Sequence, residues 1–362
     1  MSPLTLEAMP SNAAPETAAP PPLQVRELSF ADFARWDAFV TDCPEATFFH
    51  RAGWKTVIER AFGHRTHFLL AEAGGRIEGV LPLARMKSLL FGHTLVSLPF
   101  CVYGGIAATT DRARSALDDA ARALAQTLRV DHLEYRSREP RHADWAHKDL
   151  YVTFRQAIDP DPERNLLAIP RKQRAMVRKG IKAGLTSETE RDVRRFFEAY
   201  SASVHRLGTP VFSRRYFEIL AAVFGDDCEV LTVNLDGRLI AGVLSFYFRD
   251  EVLPYYGGGT AAARELAGND FMYWEVMRRA CERGSRVFDY GRSKRGTGSF
   301  DFKKNWGFEP QPLHYEYLLV QGRRVPDHNP LNPKYGRFIR LWQRLPLPVA
   351  NMIGPHIVKS IG

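Results

Sequence analysis

The chain has 362 residues, of which 45% are hydrophobic and 25% are charged, and its formal net charge is +9. This composition is that of a globular protein, and no apolar run approaches the roughly 18–20 residues of a membrane span. The four cysteines lie far apart without a CxxC pair, which argues against disulfide and zinc frameworks and favours the reducing cytoplasm.

The first 22 residues are rich in proline and alanine and contain no aromatic residue. We expect residues 1–22 to form a disordered tail, because they offer little apolar surface to bury. They also lack the basic start and apolar middle of a signal peptide. The first folded domain is therefore expected to begin at residue 23.

Two long segments, residues 49–81 and 212–244, repeat one another. Each opens on Phe and an amphipathic helical stretch that stops at Phe-Gly, and each continues as strand, turn and strand. The two turns, at residues 74–76 and 236–238, read Gly-Gly-Arg and Asp-Gly-Arg, which are hairpin signals. This pattern predicts a duplicated unit.

The repeat continues through a second set of matched segments. A Leu-Pro-aromatic motif begins at Leu98 and again at Leu253, and Tyr135 and Tyr290 each follow it by 37 positions. Between them we expect a helix at 113–128 and one at 269–283 with Asn269 as N-cap. We predict an α+β protein of two tandem domains. Each helix is followed by a predicted strand, at 130–137 in the first copy and at 287–293 in the second. The two domains are predicted to span residues 23–160 and 161–325.

The segment between the two halves is strongly basic. Residues 164–182 contain seven basic residues and no acid, and four of the seven fall at helical spacings of three, four and four. This face suits the phosphates of a nucleic acid or nucleotide, but it is also typical of a solvated linker helix. The four residues are Arg171, Arg174, Arg178 and Lys182.

Residues 287–308 carry the strongest functional signal from the residues themselves. They read as a short strand, a loop with three glycines and three basic residues, and a helix from Ser299. The free N–H groups of a first helical turn, together with Arg292, Lys294 and Arg295, predict an anion site. The first copy lacks this loop after Tyr135, so we expect the second copy to hold the reactive group.

The extension at residues 326–362 is basic, with no acid after residue 331. If helical, it carries an apolar stripe that fits either an anionic membrane face or the protein's own core. We therefore expect a cytoplasmic protein with a possible peripheral contact at the inner membrane. The stripe consists of Tyr335, Phe338, Ile339, Trp342 and Leu345.

Four segments resemble the Fem family, and more closely the FemAB-related proteins associated with exosortase/PEP-CTERM exopolysaccharide systems. The resemblance spans about residues 25–360 and implies two tandem acyltransferase domains of the GNAT type. The segments are residues 48–54, 169–174, 253–258 and 288–308, the last ending in Phe-Lys-Lys-Asn-Trp-Gly-Phe.

The resemblance implies an N-acyltransferase of cell-envelope or exopolysaccharide biosynthesis. Fem proteins transfer an aminoacyl group from aminoacyl-tRNA to the amine of a peptidoglycan-precursor peptide. Lys303 matches their oxyanion-stabilising lysine, and Tyr255 or Tyr256 lies where a substrate-contacting tyrosine is expected. The chemistry is consistent, since a fixed ammonium stabilises the oxygen charge that develops when an amine attacks an acyl carbonyl.

The remaining site residues follow from the loop and from the need to remove a proton from the amine. Asp289, Asp301, Glu275 and His314 are the candidate bases, and Asp289 is taken as catalytic together with Lys303. No histidine shows metal-ligand spacing, so neither a metal nor a permanently bound cofactor is expected. The expected donor contacts are Arg292, Lys294, Gly296, Gly298, Ser299 and Phe302.

The acyl donor stays open between aminoacyl-tRNA and acyl-CoA. The loop from Arg292 to Gly298 has one residue more than the Arg/Gln-x-x-Gly-x-Gly/Ala spacing of acyl-CoA enzymes of the GNAT type. The chain also has no room for the long helical hairpin of some Fem proteins, which weakens the tRNA interpretation. A non-catalytic binding module of the exopolysaccharide machinery is the alternative from another class.

Overall fold

The computed structural model describes residues 21–88, 92–322, 324–325 and 336–361. The expected disordered tail lies outside the described residues except for Pro21 and Pro22, and Tyr335 of the apolar stripe lies outside them as well.

The first half of the described chain forms seven strands and three helices. Its hairpin between β2 and β3 turns at Gly74 and Gly75, both with positive φ, as the Gly-Gly signal predicts. The elements are β1 (Leu23–Glu27), α1 (Phe33–Asp42), α2 (Gly53–Phe62), β2 (Arg65–Ala73), β3 (Arg76–Ser88), β4 (Gly92–Val96), β5 (Ala107–Ala108), α3 (Asp111–Leu128), β6 (His132–Ser137) and β7 (Ala146–Lys148).

The second half repeats this order and extends it. The hairpin between β10 and β11 turns at Asp236 and Gly237, again with positive φ at both residues. The elements are β8 (Tyr151–Ala157), α4 (Pro162–Ala168), α5 (Arg171–Lys182), β9 (Thr186–Glu190), α6 (Arg194–Arg206), α7 (Arg214–Phe224), β10 (Cys228–Leu235), β11 (Arg238–Phe248), β12 (Glu251–Gly259), α8 (Gly268–Glu282), β13 (Val287–Asp289), β14 (Ser293–Lys294), α9 (Gly298–Asn305), β15 (Pro310–Pro312), β16 (His314–Leu319), α10 (Gly336–Arg344) and α11 (Leu347–Val358).

The described strands form two mixed sheets, with helices packed on their faces, which confirms the predicted α+β class. The first sheet has the order β1-β2-β3-β4-β6-β16-β7, with β5 on β3. The second has the order β14-β8-β13-β12-β11-β10-β9, with β15 on β8. In each sheet four consecutive strands pair antiparallel, β1 to β4 and β9 to β12, and the last of the four then pairs in parallel, β4 with β6 and β12 with β13.

The two sheets exchange strands. β8, from the end of the first half, pairs with β13, β14 and β15 of the second sheet. β16, from the end of the second half, pairs with β6 and β7 of the first sheet. The domain limits at residues 160 and 325 stay a prediction, but the hydrogen bonding of the sheets crosses them at both strands.

Helix ends differ in detail from the sequence expectations. The helix expected from Asn269 begins one residue earlier, after Ala267 in the left-handed conformation, so Asn269 lies in the first turn and is not the N-cap. The basic stretch between the halves is split at Pro170 into α4 and α5. The proline causes the break, because it disfavours helical geometry at the residue before it.

Candidate active site

A cleft opens where β12 and β13 separate. The two strands pair in parallel only at Glu251 with Val287 and at Val252 with Phe288. β12 then continues along β11 to Gly259, whereas β13 ends at Asp289. The cleft between them has a volume of about 590 Å³. It is a pocket of the size that holds a small molecule or the reactive end of a larger one.

A β-bulge aims the tyrosines of β12 into this cleft. Leu244 of β11 pairs with Tyr256 and Ser245 pairs with Pro254, so Tyr255 is the extra residue. The Tyr255 hydroxyl donates to the carbonyl of Phe100 at 3.0 Å, and the hydroxyls of Tyr256 and Tyr216 lie 2.9 Å apart. Both tyrosines that the resemblance singles out therefore line the cleft.

Lys303 reaches the same cleft from α9. Its side chain is only 8% exposed, and its Nζ donates to the carbonyls of Gly291 at 2.9 Å and Arg292 at 3.1 Å. Burial lowers the pKa of this ammonium to about 7, while the nearby Asp289 offsets part of the effect. Lys303 thus lines the cleft with one N–H not used by those two carbonyls.

Asp289 stands behind Lys303 and does not reach the cleft. Its side chain is 0% exposed. One carboxylate oxygen accepts from the Gly291 N–H at 2.7 Å and from the Thr153 hydroxyl at 3.1 Å, and the other accepts from the Tyr103 hydroxyl at 2.7 Å. With its oxygens occupied in this way, Asp289 fixes the chain after β13 and is not positioned to take a proton from a substrate.

The glycine-rich loop is held by contacts within the protein and does not form an open anion-binding loop. Residues 293–294 pair with β8 as β14. The Arg292 guanidinium lies 4.6 Å from the Tyr151 ring centre and donates to the Tyr315 hydroxyl at 3.0 Å. Of the six expected donor contacts, four line the cleft and two do not. Those at the cleft are Arg292, Lys294, Ser299 and Phe302; Gly296 and Gly298 lie away from it.

The other candidate bases also lie away from this cleft. Glu275 forms ion pairs on α8 with Arg278 and accepts from Ser187. Asp301 is exposed on α9. His314 lines a second cleft of about 680 Å³, which also contains Tyr103 and Thr153, the partners of Asp289. Within the described residues, none of the four carboxyl and imidazole groups named from the sequence lines the cleft that holds Lys303.

The first half supplies a cleft wall that the sequence predictions missed. Phe100 and Val102 line the cleft, and Leu98 and Phe100 adopt left-handed φ values of 75° and 68°. The strained segment is held by Arg136, which donates to the Leu98 and Cys101 carbonyls. Such strain persists only where the surroundings fix it. The signal was present, because this segment is the repeat partner of the Leu253 motif.

Two polar side chains of the cleft are left without a partner. The hydroxyl of Tyr290 and the side-chain oxygen of Asn269 are buried and find no hydrogen-bond partner among the described residues. Both residues line the cleft, and Asn269 belongs to the first turn of α8. Free N–H groups and the helix dipole make such a turn favourable for a negatively charged ligand.

The basic face between the halves is confirmed as helical and stays exposed. A surface groove of about 630 Å³ runs along α5 and is lined by its cations. Among the described residues, none of these cations has a carboxylate within ion-pair distance, whereas Arg164 on α4 faces Asp159 and Asp161. The cations are Arg171, Arg174, Arg178, Lys179 and Lys182.

Over the described ranges, no group of three or more His, Cys, Asp and Glu residues is arranged to hold a metal ion. The four cysteines are buried free thiols. No helix of the described chain combines the length and apolar character that a membrane crossing requires.

Comparison with known proteins identifies the fold class. Residues 171–304 match the model of the acetyltransferase (GNAT) domain. The chain is also similar to a tandem GNAT protein from the clavulanic acid biosynthesis pathway, at 14% identity and a TM-score of 0.52, over 84% of this chain and 100% of that one. The predicted fold of two tandem GNAT-like domains is therefore confirmed.

Among solved structures, FemX matches with a TM-score of 0.63 and 17% identity over 82% of this chain and 98% of FemX. The C-terminal domain of a putative lysylphosphatidylglycerol synthetase from Agrobacterium fabrum matches with a TM-score of 0.53 and 12% identity, over 79% of this chain and 91% of that domain. At these identities the likeness concerns the fold. No curated protein matches the chain significantly.

Proposed function

We propose that this protein is an N-acyltransferase that transfers an acyl or aminoacyl group to an amine in the cleft between β12 and β13. The observation that carries the proposal is the buried Lys303, whose ammonium lines a cleft of substrate size. GNAT-domain similarity over residues 171–304 supports the same class of reaction. Tyr255, Tyr256 and Arg292 would surround the reacting groups.

The proposed reaction joins the amine nitrogen of the acceptor to the acyl carbon of an ester or thioester. The carbonyl oxygen gains negative charge as the new C–N bond forms, and Lys303 donates its remaining N–H to that oxygen. The C–O or C–S bond to the donor then breaks, and the amine proton is lost to solvent or to the leaving group. Asp289 acts in this scheme as a positioning residue, because it fixes the Gly291 backbone to which Lys303 is hydrogen-bonded.

Replacing Lys303 with Ala tests this role. We expect turnover to fall about 10²–10³-fold, the usual loss when one oxyanion donor is removed. The assay uses aminoacyl-tRNA and acetyl-CoA in turn as donors, with a panel of amino sugars and short peptides as acceptors. Lys304→Ala is the matched control, since Lys304 is the exposed neighbour on the same helix.

Undiminished turnover of the Lys303→Ala protein would refute the role of this lysine. Absence of turnover by the wild type with every donor would favour the alternative, a non-catalytic binding module. Thermal unfolding of both variants shows whether a loss of activity reflects a loss of fold.

The donor is proposed to be anionic, and the two candidates make different use of α5. An aminoacyl-tRNA extends far beyond the cleft and would place phosphates against the cationic face of α5. The α8 N-terminus at the cleft offers a smaller anion site, sufficient for the phosphates of acyl-CoA. Both donors fit an enzyme without a permanently bound cofactor.

Charge reversal on α5 separates the two donors. For a tRNA donor, Arg174→Glu combined with Arg178→Glu should weaken donor binding at least tenfold and flatten its dependence on salt, because fewer counterions are released. For acyl-CoA the same double variant should bind like the wild type. Filter binding of bulk tRNA and calorimetry with acetyl-CoA, each at two salt concentrations, give the comparison. Equal loss for both donors would contradict this assignment.

We further propose that the reaction belongs to cell-envelope or exopolysaccharide biosynthesis in the cytoplasm. This part rests on the resemblance of residues 48–54, 169–174, 253–258 and 288–308 to the Fem family and its exopolysaccharide-associated relatives. The acceptor would then be an amine-bearing envelope or polysaccharide precursor. Mass spectrometry of ligands that co-purify with the protein tests it: a nucleotide-linked sugar supports the assignment, and an unrelated metabolite contradicts it.

A further inference from the structure

The C-terminal extension presents an outer face that the fold does not cover. α10 is anchored on α6 by its inner residues: Trp342 is buried, its carbonyl is hydrogen-bonded to His205, and Gln343 donates to the Arg206 carbonyl. Ile339 packs against Gly208 just beyond α6. Because these contacts fix the rotation of α10, the side chains on its opposite side are held toward solvent.

That opposite side is apolar and basic at once. Phe338 is 41% exposed and Leu341 is 64% exposed. Arg337, Arg340 and Arg344, each exposed, repeat at the same helical spacing beside them. Residues 336–361 contain no acid, and no carboxylate of the described chain forms an ion pair with the three arginines. An apolar stripe flanked by cations is the pattern of a helix that lies in a membrane interface.

Exposed apolar side chains also lie at the mouth of the candidate active site, beside the contact between Gly208 and α10. Leu207, which follows α6 and precedes the Gly208 that packs on α10, is 70% exposed and lines the cleft. Ile361, beyond α11, lines the cleft as well. On α11, Met352 and Ile353 are also exposed.

We propose that the outer face of α10, together with Leu207, docks on an anionic lipid bilayer and thereby turns the mouth of the cleft toward the membrane surface. The apolar side chains enter the headgroup region while the arginines contact anionic headgroups. If the proposed function holds, the acceptor this arrangement fits is an amine carried by a lipid at that surface. Docking itself does not depend on turnover.

Vesicle binding tests the docking. We expect the wild type to bind vesicles of phosphatidylcholine with 30% phosphatidylglycerol at least tenfold more strongly than vesicles of phosphatidylcholine alone, with the difference shrinking at high salt. The variant with Arg337→Glu, Arg340→Glu and Arg344→Glu, and the variant with Phe338→Ser and Leu341→Ser, should each lose at least tenfold on the anionic vesicles.

The α5 double variant Arg174→Glu with Arg178→Glu is the matched control, since it also reverses exposed cations on a helix. It should bind within twofold of the wild type. Equal binding by the wild type and both α10 variants would overturn the proposal, and so would an equal loss in the α5 variant. Thermal unfolding of each variant identifies any that lost binding by unfolding.

The orientation has its own measurement. The native cysteines are buried, so a fluorophore at Leu207→Cys or at Arg76→Cys labels one exposed position. His64, just before β2, is hydrogen-bonded to the carbonyl of Lys359, which follows α11. Arg76 lies at the opposite end of β2, in the turn to β3, and is therefore far from α11. Brominated lipids should quench the label at position 207 and leave the label at position 76 unquenched. Equal quenching, or quenching only at position 76, would refute the orientation whether or not the protein is an acyltransferase.

Discussion

Lys303 is a cation in a site that disfavours charge. Burial lowers the pKa of its ammonium to about 7, and the fully buried Asp289 provides part of the compensation. Lysine at this position therefore loses its proton near neutral pH, whereas a solvent-exposed lysine keeps it to about pH 10. The protonation state of one side chain then decides whether the cleft offers an ammonium to a developing oxyanion.

The pH dependence of the Lys303 contribution follows from this pKa. We expect the ratio of wild-type to Lys303→Ala kcat/KM to be largest below pH 7 and to fall toward one as the pH rises above it, because only the protonated lysine stabilises an oxyanion. Taking the ratio cancels the ionisation of the acceptor amine. Measuring kcat/KM from pH 5.5 to 9 for both proteins gives the profile, and a ratio that rises through pH 7 would indicate a general base instead.

Single residues of the site could be predicted only in part. A family motif marks Lys303, Tyr255 and Tyr256, and all three line the cleft. The carboxylate of Asp289 makes it a candidate base in the sequence, but in the structure Asp289 is buried behind the cleft with Tyr103, 186 positions away, as a hydrogen-bond partner. Tyr103 donates a hydrogen bond to this carboxylate, and the sequence around Asp289 cannot predict so distant a partner.

At the scale of elements, a partly buried ionic cluster connects β16 to the first half. His142 lies between Glu316 of β16 at 3.0 Å and Asp118 of α3 at 3.3 Å. Burial opposes its charged form, but the hydrogen bonds to Asp118 and Glu316 outweigh burial and raise its pKa to about 9. His142 also stacks on Trp145, with ring centres 4.0 Å apart.

Stability should therefore depend on the charge of His142. The folded state keeps this proton to about pH 9 while the unfolded chain releases it near pH 6.5. The stabilisation is thus fully present below pH 6.5 and is lost as the pH rises through 9. We expect His142→Gln to lower the free energy of unfolding by roughly 1–3 kcal/mol at pH 6 and by much less at pH 9.5.

Urea unfolding at the two pH values measures this difference. His147→Gln is the control, because His147 is exposed on neighbouring β7. A His142→Gln effect that is the same at both pH values would show that the imidazole acts by packing on Trp145 and not by charge.

Elements themselves were largely predictable, and their ends were not. Both hairpins turn where the glycine signals place them, because left-handed turn residues require that chemistry. The strand expected at 287–293 is interrupted after Asp289, whose carboxylate is hydrogen-bonded to Tyr103 and Thr153, and pairing with β8 resumes at Ser293. Those bonds are tertiary, and the apolar pattern of the segment does not contain them.

For the whole molecule, the internal repeat was the decisive signal, and it predicted two similar units in the right order. What it could not predict is which strand completes each sheet. β8 and β16 are both short strands with a run of three buried residues, and this pattern alone does not select one sheet over the other. The choice is made by long-range partners such as the Tyr315 hydroxyl, which donates to the Val102 carbonyl at 2.8 Å, in the wall of the cleft.

The exchange of β8 and β16 also determines when the first sheet can be completed during synthesis of the chain. The ribosome releases residues 23–148 long before β16, yet the first sheet lacks the strand between β6 and β7 until residue 319 has emerged. During that interval the edge of β6 is exposed as an open template for pairing with other chains. The first sheet can therefore be completed only when nearly the whole chain has been synthesised. The sheet edge next to the cleft is among the last parts of the protein to fold.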